Sequence, residues 1–113
     1  MSSNANAAPA EPIHLGAASD LEEAVSTYDV VLVDFYADWC GPCQMMEPAI
    51  ESVAADTDAA VLKVDVDQFQ DLAAEYGVQG IPALFVFADG EQVEQLVGMQ
   101  SEDQLASIIA KYA

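Results

Sequence analysis

Positive charge is nearly missing from this chain. Of 113 residues only two are Lys or Arg and one is His, against 20 Asp and Glu, for a formal net charge of −18. Two cations cannot neutralise a track of phosphates, so nucleic-acid binding through a basic face is excluded. The same shortage argues against docking on an anionic membrane surface. No apolar run approaches the ~20 residues that a membrane-spanning helix needs. Hydrophobic residues reach 53% and aromatic residues 8%, enough apolar material to fold. The disorder signature of high charge with low hydrophobicity is therefore met only in its first half. The length suits one domain with one core.

Cysteine is scarce as well, with only Cys40 and Cys43 present. The opening Met1-Ser-Ser-Asn-Ala-Asn-Ala-Ala-Pro-Ala10 has no Lys or Arg and no apolar segment, so it fails as a secretory signal. It reads as a disordered tail over 1–12, ahead of a single domain over 13–113. The expected location is the cytoplasm, where stable structural disulfides are rare. There a Cys-x-x-Cys pair means metal or redox chemistry rather than a staple.

What the chain does have is a regular succession of elements. A short strand is expected at Ile13–Leu15. Ser19-Asp-Leu-Glu22 spells a capping box, followed by Leu21, Ala24, Val25 and Tyr28 at helical spacing. Val30–Tyr36 is a continuous run of apolar, β-branched and aromatic residues, which predicts a central strand buried on both faces. Met46, Ile50 and Val53 predict a helix from about Cys40 to Ala55, kinked at Pro48. A second buried strand follows at Val61–Val66, then a helix over Gln68–Tyr76 that stops at Gly77. Ala83–Phe87 and Gln92–Val97 flank Asp89-Gly90, a strong hairpin signal. Ser101-Glu-Asp-Gln104 caps a last helix with the stripe Leu105, Ile108, Ile109 and Tyr112. The order βαβαβαββα predicts an α/β fold, a central mixed sheet of about five strands flanked by four helices.

Trp39-Cys-Gly-Pro-Cys43 lies where a buried strand ends and a helix begins. Disulfide exchange requires a thiolate, so a working cysteine needs its proton affinity lowered. The N–H groups and dipole of a helix N-terminus do this. Cys40 takes that end and is expected to be the exposed attacker, with Cys43 one turn inward to resolve a mixed disulfide. Gly41 allows close backbone approach, and Pro42 is tolerated in the first turn. Zinc normally takes four ligands, and the only other classical soft ligand is His14 near the tail, to which no role is assigned. Asp34 interrupts the apolar run, either as a solvated strand end or as a buried acid with raised pKa. Lys63, one of the two cations, falls in the neighbouring buried strand. Trp39 fits either the core or the surface beside the motif. Met45 and Met46 are expected to pack.

In this order the chain resembles the thioredoxin family, through Val33-Asp-Phe-Tyr-Ala-Asp-Trp-Cys-Gly-Pro-Cys43, Pro48, Lys63, Gly80-Ile-Pro82, Asp89-Gly90 and Val97-Gly98. The resemblance covers about Ile13 to Ala113 and implies the thioredoxin fold and a protein-disulfide reductase. It implies that Asp34 handles the proton of Cys43 and pairs with Lys63. It also implies a cis Ile81-Pro82 bond facing the cysteines, although X-Pro bonds are cis in only ~5–6% of folded cases. Trp39, Gly41, Pro42, Ile81, Pro82 and Gly98 would bind the client, whose extended segment would hydrogen-bond the backbone of Ile81. The implied partners are disulfide-containing client proteins and a thioredoxin reductase, linked to NADPH or to ferredoxin, with no cofactor beyond the redox-active pair and with a monomeric state. A redox-insensitive binding subunit would not need the intact pair, nor Asp34 and Lys63. Two departures concern charge. Gln44 stands where the family often carries Lys, and Asp38 and Glu47 bring negative charge that disfavours a thiolate.

The acids run from Glu11 to Asp103 and occur on every expected helix, so they belong to the whole surface. Asp56/Asp58 and Asp65/Asp67 lack the Gly and Glu of a calcium loop. A surface of one sign repels itself. The expected setting is a salt-rich cytoplasm.

Overall fold

The computed structural model describes residues 7–113. Of the expected tail, 1–6 lies outside the described residues. Residues 7–12 form neither helix nor strand, although Ala8 packs against the core. The elements run β1 (Ile13–His14), α1 (Ser19–Thr27), β2 (Val30–Tyr36), α2 (Gly41–Met45), α3 (Glu47–Asp56), β3 (Ala60–Asp65), α4 (Gln70–Glu75), β4 (Ala83–Ala88), β5 (Glu91–Val97) and α5 (Glu102–Ala110). Five strands form one mixed sheet in the order β1-β3-β2-β4-β5. β1 and β2 run parallel to β3, and β4 pairs antiparallel with both β2 and β5.

The central place of β2 explains its composition. With strands on both edges and helices over both faces it meets no water until Tyr36, and Val30 to Phe35 are all buried. Strand alternation then sorts its side chains. Val31, Val33 and Phe35 pack with Leu62, Phe85, Leu21 of α1 and Leu72 of α4. Val30 and Leu32 pack with Leu84, with Ile50 and Val53 of α3, and with Leu105 and Ile109 of α5. The same alternation puts Asp34 on the α3/α5 face. Its register partners are Lys63 on β3 and Leu84 on β4.

Local chemistry departs from the sequence-based expectation in two places. The helix expected from Cys40 to Ala55 is broken into α2 and α3, which meet at Met46. Pro48 is the cause. Its ring removes an N–H and crowds the preceding turn, so the break falls just before it. Five helical segments result where four helices were expected. At α1 the expected capping box does not form. Ala18 is already helical, so Ser19 cannot cap, and Asp20 Oδ2 instead accepts from the Gly16 and Ala17 N–H groups at 3.2 and 2.9 Å. At α5 the box is complete. Ser101 Oγ accepts from Gln104 N–H at 3.1 Å, and Gln104 Oε1 accepts from Ser101 N–H at 2.8 Å.

The hairpin turns where it was expected. Asp89 (φ 52°) and Gly90 (φ 88°) both take the left-handed backbone that a two-residue hairpin loop requires. Beyond it Phe87 pairs with Gln92 and Val86 with Glu94, so Val93 is an extra residue that makes a bulge in β5.

Candidate active site

From Tyr36 at the end of β2 the chain passes through Ala37, Asp38 and Trp39 to α2. Cys40 is the N-cap of α2, with extended backbone, and its Sγ accepts from the Cys43 N–H at 3.2 Å. Pro42 sits in the first turn, where its missing N–H has no partner to lose. Cys40 and Cys43 are joined as a disulfide, with Cα atoms 5.2 Å apart.

The expectation of an exposed Cys40 needs correction. In the disulfide both cysteines are buried, at 4% and 3% exposure, because each sulfur is bonded to the other and Ala37, Tyr36, Val66 and Ile81 pack round them. Backbone position distinguishes them instead: Cys40 stands before the helix and Cys43 inside it. Cys40 Sγ also lies 4.0 Å from the carbonyl oxygen of Ile81, and the Ile81-Pro82 bond is cis. Gly98 is drawn to the same place. Its N–H donates to the Pro82 carbonyl at 2.8 Å, from a backbone (φ 94°) that suits glycine alone.

Trp39 takes the surface option, at 70% exposure, and its indole N–H donates to Asp67 Oδ2 at 2.9 Å. Asp67 is a site residue that the sequence reading missed, since it registered only as half of a failed calcium pair. Met45 is a second correction. Met46 packs as expected, but Met45 is exposed, as are Val97 and Met99. Gln44, without the charge of the family's common Lys, donates its side-chain amide to the Asp38 carbonyl.

Asp34 and Lys63 are both buried, each at 2% exposure. Lys63 Nζ lies 3.6 Å from Asp34 Oδ2 and 4.2 Å from the centre of the Tyr36 ring. A third member was not foreseen in this role. Lys63 Nζ donates to Glu47 Oε2, so Glu47 answers a buried cation rather than merely adding charge beside the sulfurs. Asp34 Oδ1 has no hydrogen-bond partner. Burial raises the Asp34 pKa to about 6; Lys63 draws it down and Glu47 pushes it up. Among the described residues, no cluster of His, Cys, Asp and Glu could hold a metal ion, and no helix is long and apolar enough to cross a membrane.

Comparison with known proteins meets the same site. The family model described as Thioredoxin matches residues 13–111. The thioredoxin of Staphylococcus epidermidis is 46% identical over 96 residues, covering 83% of this chain and 91% of the relative. That of Staphylococcus aureus is 48% identical over 85 residues, covering 74% and 82%. Among solved structures, a thioredoxin mutant from Halobacterium salinarum NRC-1 matches with a TM-score of 0.90 at 57% identity, over 94% of both chains. The thioredoxin of Schistosoma mansoni matches with a TM-score of 0.84 at 31% identity, over 94% of this chain and 99% of the other. The family match begins at β1, takes in both cysteines and extends through α5: the chain belongs to the thioredoxin family.

Proposed function

We propose that this thiol–disulfide oxidoreductase reduces protein disulfides with Cys40 as the attacking thiol and Cys43 as the resolving one. The observation that carries the assignment is the position of Cys40 as the N-cap of α2, with its sulfur on the Cys43 N–H and Cys43 within the helix. In the reduced protein that N–H and the helix end favour negative charge on the Cys40 sulfur. Cys40 thiolate attacks one sulfur of the client disulfide, a mixed disulfide forms, and the client's other sulfur leaves as thiolate and takes up a proton. Cys43 gives its proton to the Asp34 carboxylate and attacks Cys40 Sγ. The Cys40–Cys43 bond forms and the second client thiolate departs. Two electrons have passed from the protein dithiol to the client, and a reductase returns them.

Client binding falls to Trp39, Gly41, Pro42, Ile81, Pro82 and Gly98. The Ile81 backbone pairs with an extended client segment in the manner of an added strand. The exposed indole of Trp39 and the nearness of the Ile81 carbonyl to Cys40 support this reading. The working form is a cytoplasmic monomer that needs no cofactor besides the cysteine pair and binds neither nucleic acid nor membrane. Its partners are disulfide-bearing proteins and a thioredoxin reductase. Likeness to a Halobacterium thioredoxin supports a salt-rich setting for this acidic surface.

Insulin reduction with substituted cysteines tests the roles. Cys40→Ser should abolish turnover, whereas Cys43→Ser should accumulate mixed disulfides. Alkylation of the reduced protein should label Cys40 first, and faster labelling of Cys43 reverses the assignment.

A further inference from the structure

Glu47 takes no part in the exchange steps above, yet it holds the side chain on which Asp34 depends. It is the first residue of α3, and its Oε2 accepts a hydrogen bond from Lys63 Nζ. The same ammonium lies 3.6 Å from Asp34 Oδ2, and Asp34 Oδ1 meets no donor at all. One buried cation therefore serves two acids: it donates to the outer, partly exposed Glu47 and stands 3.6 Å from the inner Asp34. A buried carboxylate is tolerated when a cation or hydrogen-bond donors compensate its lost hydration. A cation given whole to Asp34 would make it a weak base. Shared with Glu47, it leaves the Asp34 carboxylate under-compensated and readier to bind a proton.

The surroundings narrow the source of this effect. From β3 comes Lys63; β4 places the apolar Leu84 opposite Asp34. α5 contributes Leu105 and Ile109 to that face of the sheet, and α3 contributes Glu47 and Glu51. Tyr36, on the same strand as Asp34, lies against the Lys63 ammonium. α2 carries Cys43. On β1, His14 stands in register with Lys63, and Glu11, His14, Glu47, Glu51 and Lys63 line one cleft between β1 and α3. Beside burial itself, Lys63 lowers and Glu47 raises the proton affinity of Asp34.

We propose that Glu47 is a positioning residue of the redox site: by holding Lys63 toward the cleft between β1 and α3, it keeps Asp34 basic enough to accept the proton that leaves Cys43. This rests on Asp34 being the acceptor for Cys43. The rise of Asp34 to about 6, with Glu47 among its causes, has the direction the arrangement requires. A base whose proton affinity approaches the working pH is the more effective catalyst of such a transfer.

Glu47→Gln keeps an oxygen for Lys63 and removes the competing charge. Asp34 should then titrate at lower pH by roughly one unit, as loss of a nearby like charge and recovery of an opposite one dictate. Carboxyl-carbon NMR of the oxidised protein reads that titration directly. The acid limb of the pH profile for single-turnover disulfide reduction should move down with it, while KM for the client stays unchanged. Asp34→Asn should remove the limb, and adding Glu47→Gln to it should shift nothing further. If Glu47→Gln leaves the Asp34 titration unmoved while Asp34→Asn still removes the limb, the role of Glu47 is overturned and that of Asp34 stands. If Asp34→Asn leaves the limb in place, the role of Asp34 falls and the proposal falls with it.

Discussion

Asp34 binds its proton more tightly in the folded protein than in the unfolded chain, about 6 against 3.8, because burial disfavours its charge. The sign of the consequence follows. Between about pH 4 and 6 the unfolded chain holds fewer protons at this site, so the contribution of Asp34 to stability falls as pH rises and its penalty is complete above about 6. Asp34→Asn should therefore match its parent near pH 4 and exceed it by a few kcal/mol at neutral pH, since one pKa unit is worth ~1.4 kcal/mol. Lys63 keeps Glu47 as a partner in that variant, so no buried cation is orphaned. Urea titrations at the two pH values check this, and a difference that does not grow with pH contradicts it. Asp34 and Lys63 were legible in the sequence because a charge inside an apolar strand is out of place. Glu47 and Asp67 were not. Among 20 acids one more carries no signal until packing shows which ammonium or indole it meets. Met45 was misread because it adjoins the buried stripe of Met46, Ile50 and Val53 without belonging to it.

Two helices that share the Ser-x-x-Glu/Gln pattern start differently, and substitution should separate them. Ser101→Ala removes a real cap from α5 and should cost about 1 kcal/mol. Ser19→Ala touches no capping bond and should leave stability within about 0.5 kcal/mol, as a neutral surface change does. Asp20→Ala should cost about 1 kcal/mol by releasing the Gly16 and Ala17 N–H groups. Thermal melts of the three variants suffice, and a Ser19→Ala loss equal to that of Ser101→Ala would contradict the assignment of caps. Strand content was readable because two-sided burial demands unbroken apolar runs, and β2 falls at Val30–Tyr36 as read. Caps depend on how the chain enters the helix. At Ala18 the backbone is helical (φ −57°), whereas at Ser101 it is extended (φ −79°, ψ 161°), and the four-letter pattern does not encode that difference.

Both of the chain's cations already stand beside acids. Lys63 is buried between acids, and Lys111 lies 3.9 Å from Glu94. The net charge of −18, with both cations counted, acts across a small body, and such self-repulsion destabilises the compact state. Its reach is ~10 Å at ~0.1 M salt and ~3 Å at ~1 M. The melting temperature followed by circular dichroism should climb steeply from dilute to molar KCl. A flat series would sink the salt-rich setting and leave the redox roles untouched. β5 has a further part to play under those conditions. At one margin of the sheet β1 offers only two residues to a neighbour, but at the other β5 offers seven, and an open edge strand is a template for edge-to-edge aggregation. In dilute solution the negative surface, with Glu91 at the start of β5, opposes the approach of a second copy. The salt that is expected to strengthen the fold also screens that repulsion. The extra residue Val93 then guards the margin, because a bulge bends the strand and interrupts its row of donors and acceptors. Ions screen charge but not shape, so in molar salt the protection of this edge would pass from its carboxylates to its bulge.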